Sequence, residues 1–200
     1  MNGCPPLLIS VCGLARSGKN TFCDLARKEL ENRFNFNCCQ LSFAEQLKKD
    51  VQNFMDFCNL SISDNIQKEL FRPFLSWYGD LRRKQSNGLY FLDIVRKQFE
   101  QLGDQYDCFF IPDLRYKFFE YDELDWCQKN GVVVHLSKYT IPNPSQPNIK
   151  LFDSPPNELE AKNDPILKNA ANYLIEWEHS DGNTNKLQPY IVDFVDFFAI

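Results

Sequence analysis

The nine residues Gly13-Leu14-Ala15-Arg16-Ser17-Gly18-Lys19-Asn20-Thr21 constrain this chain more than any other stretch. They follow the apolar run Leu7-Leu8-Ile9-Ser10-Val11-Cys12 and open an amphipathic stretch from Phe22 to Leu30. The order is strand, glycine loop, helix. In that context G-x-x-x-x-G-K reads as a phosphate-binding loop. Glycines at both ends let the backbone curl, so that several N–H groups face one centre. The helix N-terminus adds positive potential at the same point. Lys19 adds a mobile ammonium for β- and γ-phosphate oxygens. Gly13, Ala15, Arg16, Ser17, Gly18, Lys19, Asn20 and Thr21 are therefore the expected phosphate-binding residues.

In the common ATPase and GTPase pattern a Ser or Thr directly follows the Lys and ligates Mg²⁺. Here Asn20 holds that place and the hydroxyl comes one residue later, at Thr21. Thr21 can still reach a phosphate oxygen or the ion. Mg²⁺ is then expected to be held largely by phosphates and water, which suits an ion that dehydrates reluctantly.

The rest of the composition narrows the class. Two hundred residues, 44% of them hydrophobic, suit one compact domain over 1–200. The formal charge of −5 argues against bulk nucleic-acid binding. No run of 18 apolar residues occurs, so no membrane span is expected. Met1 to Pro6 does not read as a secretory signal. Eight cysteines without a C-x-x-C pair read as reduced, small hydrophobes of a cytoplasmic protein. His135 and His179 read as structural or solvated, because zinc needs paired ligand spacings. Most of the eighteen Phe should be core, with room for an aromatic that holds a base.

Strands are expected at Leu7–Cys12, Phe36–Phe43, Asp107–Ile111, Val132–Leu136 and Ala171–Trp177. Helical spacing runs through Glu45–Cys58, from a cap at Ser63-Asp64 toward Tyr78 with a bend at Pro73, and through Tyr90–Leu102. It recurs at Phe118–Lys129, stopped by Gly131, and at Asn185–Phe198, where Pro189 must sit in the first turn or break the helix. Residues 139–156, rich in Pro, Asn and Ser, read as a long functional or mobile loop. The alternation predicts an α/β fold with a mostly parallel five-stranded sheet flanked by helices. Ligands in such sheets bind at the carboxyl ends of the strands, where the phosphate loop, Phe43-Ala44 and Asp113 all fall.

Asp113-Leu114-Arg115 forms a second constellation. A carboxylate at a strand tip near the loop can hold Mg²⁺ or its waters, and Arg115 can bind acceptor phosphate or pair with Asp113. Arg72, Arg82 and Arg83 surround Trp77-Tyr78-Gly79-Asp80 in a helical region at about 60–103. Arginine offers a planar fork for phosphate, and an adjacent aromatic can stack on a base. Lys48 is a further acceptor-side candidate, equally well read as a solvated helical lysine. Glu158 and Glu160 are assigned no catalysis, since an acceptor phosphate is already anionic.

Four blocks carry a resemblance. They are Gly13 to Thr21, Ser42-Phe-Ala-Glu-Gln-Leu-Lys48, Arg72-Pro-Phe-Leu-Ser-Trp-Tyr-Gly79 with the arginines after it, and Ile111-Pro-Asp-Leu-Arg115. A weaker fifth runs from Ser154 to Glu160, followed by Ala171 to Ile175. In these the chain resembles the P-loop deoxynucleoside monophosphate kinases of bacteriophages and large viruses, and the related animal-type phosphomevalonate kinases. The resemblance implies a P-loop kinase fold and ATP- and Mg²⁺-dependent phosphorylation of a phosphomonoester. It implies Lys19, Arg83, Asp113 and Arg115 as catalytic residues. Phe43, Lys48, Arg72, Trp77 and Arg82 become the acceptor side, and Thr21 and Asp113 the metal side. Asn20 stands where the family usually has Asp, Ser86-Asn87-Gly88 where it has Asp-Pro, and Ser154 where it often has His. The expected partner is a small nucleotide, with neither bulk nucleic acid nor membrane; a homodimer stays open. The competing readings are another small-phosphomonoester kinase and a non-catalytic nucleotide-binding module.

Overall fold

The computed structural model describes residues 5–60, 65–179 and 184–198. The strands are β1 (Leu7–Cys12), β2 (Cys38–Gln40), β3 (Cys108–Ile111), β4 (Val132–Thr140), β5 (Leu151–Phe152) and β6 (Tyr173–Glu178). The helices are α1 (Lys19–Phe34), α2 (Phe43–Phe57), α3 (Asn65–Gln85), α4 (Leu89–Leu102), α5 (Glu123–Asn130), α6 (Glu158–Ala170) and α7 (Gln188–Phe198). The parallel part of the sheet runs β2-β3-β1-β4-β6, so β1 is central and the loop after it leaves from mid-sheet.

Because side chains alternate across a strand, neighbouring residues feed opposite layers. Ile9, Val11, Phe110, Val134 and Leu136 pack with Phe22, Ala26 and Leu30 of α1 and Ile191, Phe194 and Val195 of α7. Leu8, Phe109, Ile111 and Val133 turn the other way, onto Phe91, Leu92 and Val95 of α4, Leu124 and Cys127 of α5, and Leu167 of α6. Strands buried on both faces explain why they read as continuous apolar runs. Phe22 meets Phe194 edge-on at 5.2 Å, a contact worth about 0.5–1.5 kcal/mol beyond its buried area.

The expected α/β architecture holds, with a sixth strand. The segment expected to be loop at 139–156 begins inside β4 and contains β5, which pairs antiparallel with it at Tyr139↔Phe152 and Thr140↔Leu151. Two residues long and set in a stretch rich in Pro, Asn and Ser, so short a strand leaves no pattern in the sequence. β2 is shorter than expected and Phe43 already belongs to α2. The helix expected from Phe118 starts only at Glu123. Asp122 accepts the amides of Phe118 and Phe119 and, with Asp125, forms a capping box that sets the start. α3 continues through Pro73 to Gln85 without ending at Tyr78. The cap expected at Ser63-Asp64 lies outside the described residues. The seven described cysteines are all free thiols. Among the described residues no helix is long and apolar enough to cross a membrane.

Candidate functional site

The phosphate loop is the bend from β1 into α1, and both glycines are required where they stand. Gly13 has φ +124° and Gly18 φ +96°, in the region that disfavours a Cβ. Space forbids one as well. A Cβ on Gly13 would lie 2.3 Å from the Leu136 carbonyl oxygen, and one on Gly18 would lie 2.7 Å from the Trp177 ring. Arg16, at φ +66°, makes the remaining left-handed step. Trp177 of β6 supports the loop from below, donating its indole N–H to the Ser17 carbonyl at 2.9 Å. Phe22 N–H to Gly18 O at 2.8 Å closes the first helical turn.

Lys19 is buried and folds back on its own loop, donating to the carbonyls of Gly13 at 2.8 Å and Leu14 at 2.6 Å. Burial, and next the nearby Arg115 charge, lower its pKa to about 8. The Arg115 charge thus opposes protonation of Lys19.

Glu160 supplies the balancing charge. Its carboxylate accepts the Ala15 amide at 2.6 Å and faces Arg115 Nη1 at 3.5 Å. Sequence reasoning passed over this residue. Asn157 and Glu160 have the spacing of a capping box, and the Asn157 side chain does accept the Glu160 amide at 2.9 Å. Such a pattern predicts a carboxylate folded onto its own helix start, whereas this one reaches 145 residues back along the chain.

Asp113 stands at the tip of β3. One oxygen accepts Ser42 Oγ at 2.7 Å and the Ala44 amide at 2.8 Å; the other accepts the Phe43 amide at 3.2 Å. It is therefore the N-terminal cap of α2, supplied from another strand. A carboxylate has about four lone-pair sites. Three are spent here, so any hold on a metal is by the remaining one or through water.

The other expected residues fall into three groups. Phe43 is a correction: it is buried in the core at 1% exposure and cannot touch an acceptor. Arg83 is largely covered, with its side chain 12% exposed. Its Nε and Nη2 donate to Glu123 Oε1 at 3.0 and 2.9 Å, and its guanidinium lies between the rings of Phe91 and Tyr116 at 4.9 and 4.7 Å. This geometry gives it a structural place rather than the catalytic one the resemblance implies. Burial holds the Glu123 carboxyl up at about 6, against the lowering effect of Arg83. Arg82 lies over the Tyr90 ring at 3.7 Å. Asp50 beside it accepts the hydroxyls of Tyr78 at 3.1 Å and Tyr90 at 3.0 Å. Lys48, Arg72 and Trp77 are exposed on α2 and α3, and Trp77 stacks on Phe74 at 5.9 Å. Asn20 is exposed and Thr21 half-buried at the start of α1.

A cleft of about 130 Å³ opens beside the loop, lined by Leu14, Ser17, Ser137, Lys138, Phe152 and Asp164 among others. The Ser17 hydroxyl is buried and has no hydrogen-bond partner, as a group awaiting a phosphate oxygen would. β5 borders this cleft from the β1 side of β4, past the point where β1 ends. His135, in the core, bridges Asp164 at 3.0 Å and Ser137 at 3.3 Å and so ties α6 to β4. Among the described residues no cluster of three or more His, Cys, Asp or Glu could hold a metal.

No protein-family model matches the chain, and no curated protein does. Among solved structures it is similar to shikimate kinase from Bacteroides thetaiotaomicron, at 13% identity and TM-score 0.45 over 97% of this chain and 99% of that one. It is similar also to a Thermus thermophilus protein, at 14% and 0.47 over 96% and 98%. A third is shikimate kinase from Acinetobacter baumannii in complex with shikimate, at 14% and 0.44 over 96% and 94%. Likeness at this level leaves the chemistry to be argued from the chain's own residues.

Proposed function

We propose that this chain is a P-loop kinase that transfers the γ-phosphoryl group of ATP to a small phosphomonoester, and that the acceptor is a deoxynucleoside monophosphate. One observation carries the reading. A glycine loop with two sterically obligatory glycines opens a helix that starts at Lys19, and the Glu160 carboxylate joins the loop's Ala15 amide to Arg115. Phosphoryl transfer asks little of a protein beyond holding the donor and stabilising charge on the transferred group. Cations on both sides of that group meet the demand.

In this reading the loop amides and the Ser17 hydroxyl cradle the donor phosphates. Lys19 leaves its carbonyl partners for the β- and γ-oxygens. Arg115, from the segment after the neighbouring strand β3, takes charge on the transferred group or the acceptor phosphate. Bound Mg²⁺ neutralises phosphate charge, and Asp113 with Thr21 would hold it in part through water. No general base is needed, because the acceptor oxygen is anionic. The acceptor would lie toward α2 and α3, with Arg72, Arg82 and Lys48 for its phosphate and Trp77 for its base. This acceptor assignment rests on the block resemblance and on the exposure of Trp77, an aromatic surface that a base could cover.

The test is a panel of nucleoside and deoxynucleoside monophosphates with phosphomevalonate, each supplied with ATP and Mg²⁺, with ADP formation followed. Turnover of a deoxynucleotide supports the reading. Turnover of phosphomevalonate alone moves the chain to the rival kinase. ATP binding with no turnover of any acceptor makes it a nucleotide-binding module.

A further inference from the structure

We infer that Glu160 is an internal occupant of the phosphate site, and that donor binding must expel it and loosen the start of α6. The inference rests on the phosphate-loop reading above and adds a gate to it.

The observation is the carboxylate itself. The loop is an anion receptor made of backbone amides at a helix start. Glu160 presents a planar anion to it, taking the Ala15 amide at 2.6 Å and the Arg115 guanidinium at 3.5 Å. Glu160 is only 8% exposed, so this is a packed position and not a surface side chain in passing contact. The same two donors are the ones a polyphosphate needs. One amide N–H cannot serve a carboxylate and a phosphate oxygen together, and two anions at that spacing repel. Lys19 is in the matching state, turned onto the Gly13 and Leu14 carbonyls. Glu160 and Lys19 thus occupy the loop from within, while the Ser17 hydroxyl stays without a partner.

The contacts of α6 explain why this has a reach beyond one side chain. Glu160, Asn163, Asp164 and Leu167 recur at helical spacing and form one face. Asn163 accepts the Lys117 amide at 3.0 Å, Asp164 meets His135 at 3.0 Å, and Leu167 enters the core. Glu160 is the N-terminal member of this row, so expelling it removes the tie between the first turn of α6 and the phosphate loop and leaves that turn only its Asn157 cap, while the core contact of Leu167 holds the rest. The segment 153–157 leading into that turn is largely exposed and lacks strand or helix, which lets the turn move.

A plain positioning role for Glu160, holding Arg115 for catalysis, makes the opposite prediction for phosphate affinity. The experiment is calorimetric titration of inorganic pyrophosphate into the full chain as wild type, Glu160→Gln and Glu160→Ala. The variants should bind about 10- to 100-fold tighter, the worth of a charge-assisted hydrogen bond no longer opposing the ligand. Amide exchange across residues 157–162 of the wild type should quicken with saturating pyrophosphate. Glu160→Gln keeps the side-chain shape, and with the wild-type exchange it decides the matter if Glu160→Ala melts. Equal or weaker pyrophosphate binding in a folded variant overturns the inference, and so does unchanged exchange. If no form binds pyrophosphate, the phosphate-loop reading falls as well. Tighter binding with no acceptor turned over would leave the gate standing and remove only the kinase proposal.

Discussion

The Trp177 ring fills the space that a side chain on Gly18 would need, and its indole N–H holds the Ser17 carbonyl at 2.9 Å. A strand at the far end of the chain thus sets the curvature of the phosphate loop. Trp177→Phe keeps most of the packing and loses the bond. It should cost about 1 kcal/mol of stability and weaken ADP binding more than melting suggests. Trp177→Ala should cost about 3–5 kcal/mol. Parallel melting and ADP titration check both, and unaltered ADP affinity in Trp177→Phe would show that the loop holds its shape without the bond.

Lys19 gives a proton-linked signature. Its pKa is lowered to about 8 by burial and Arg115, and bound phosphate charge should raise it again. Above pH 8 the free loop has lost much of this proton, so binding takes one up. Calorimetry of ADP binding at pH 8.5 in buffers of different ionisation enthalpy should report uptake of about 0.7 proton, falling toward zero at pH 7. Lys19→Met should show none. Equal heats across buffers at pH 8.5 would remove Lys19 from the phosphate contacts.

Arg83 should behave as a structural residue. Arg83→Ala leaves the buried Glu123 carboxylate without its partner and should cost about 3–5 kcal/mol at neutral pH. The sign with pH follows from Glu123. Its folded pKa is already raised to about 6, above the ordinary 4.5, and loses a lowering influence when Arg83 goes. The folded variant then binds more protons than the unfolded chain from about pH 4.5 to above 6, so its stability falls as pH rises through that window. Melting curves of both proteins at pH 5 and pH 7.5 should show the larger gap at pH 7.5. A well-folded variant with lost turnover would return Arg83 to the active site.

Those two residues mark where the sequence was legible. The phosphate loop is local, and its spacing alone named Gly13, Gly18 and Lys19. The strands of a doubly covered sheet are apolar throughout, so the α/β layering could be read from runs of Val, Ile, Phe and Leu. Partner choice across long separations could not. Nothing in the Arg72–Arg83 block says which arginine meets a buried glutamate 40 residues on. Nor does Glu160 differ in sequence from a helix cap, and Asp113 looks alike whether it caps α2 or faces a metal.

Asp113→Asn separates those last two roles. As a cap of α2 the carboxylate accepts three hydrogen bonds, and the amide should cost about 1–2 kcal/mol in melting. If Asp113 also reaches Mg²⁺ through water, the Mg²⁺ concentration needed for half-maximal turnover should rise. Reduced stability with an unmoved Mg²⁺ titration would leave it a cap alone.

Trp77 bears on the acceptor. It is 59% exposed, and its ring extends the stack that Phe54 and Phe74 begin at 5.3 Å. Removing a largely exposed ring at the end of that stack should cost no more than about 1 kcal/mol. A base stacked on that ring should gain about 1–3 kcal/mol, so Trp77→Ala should raise KM for a deoxynucleoside monophosphate by about 5- to 160-fold. KM for ATP should stay near the wild-type value, because the donor is held by the loop after β1. Phosphomevalonate has no base, and any turnover of it should be indifferent to the substitution. A KM for the nucleotide acceptor that does not move, in a variant that melts like wild type, would place the base elsewhere and leave this aromatic stack without a part in acceptor binding.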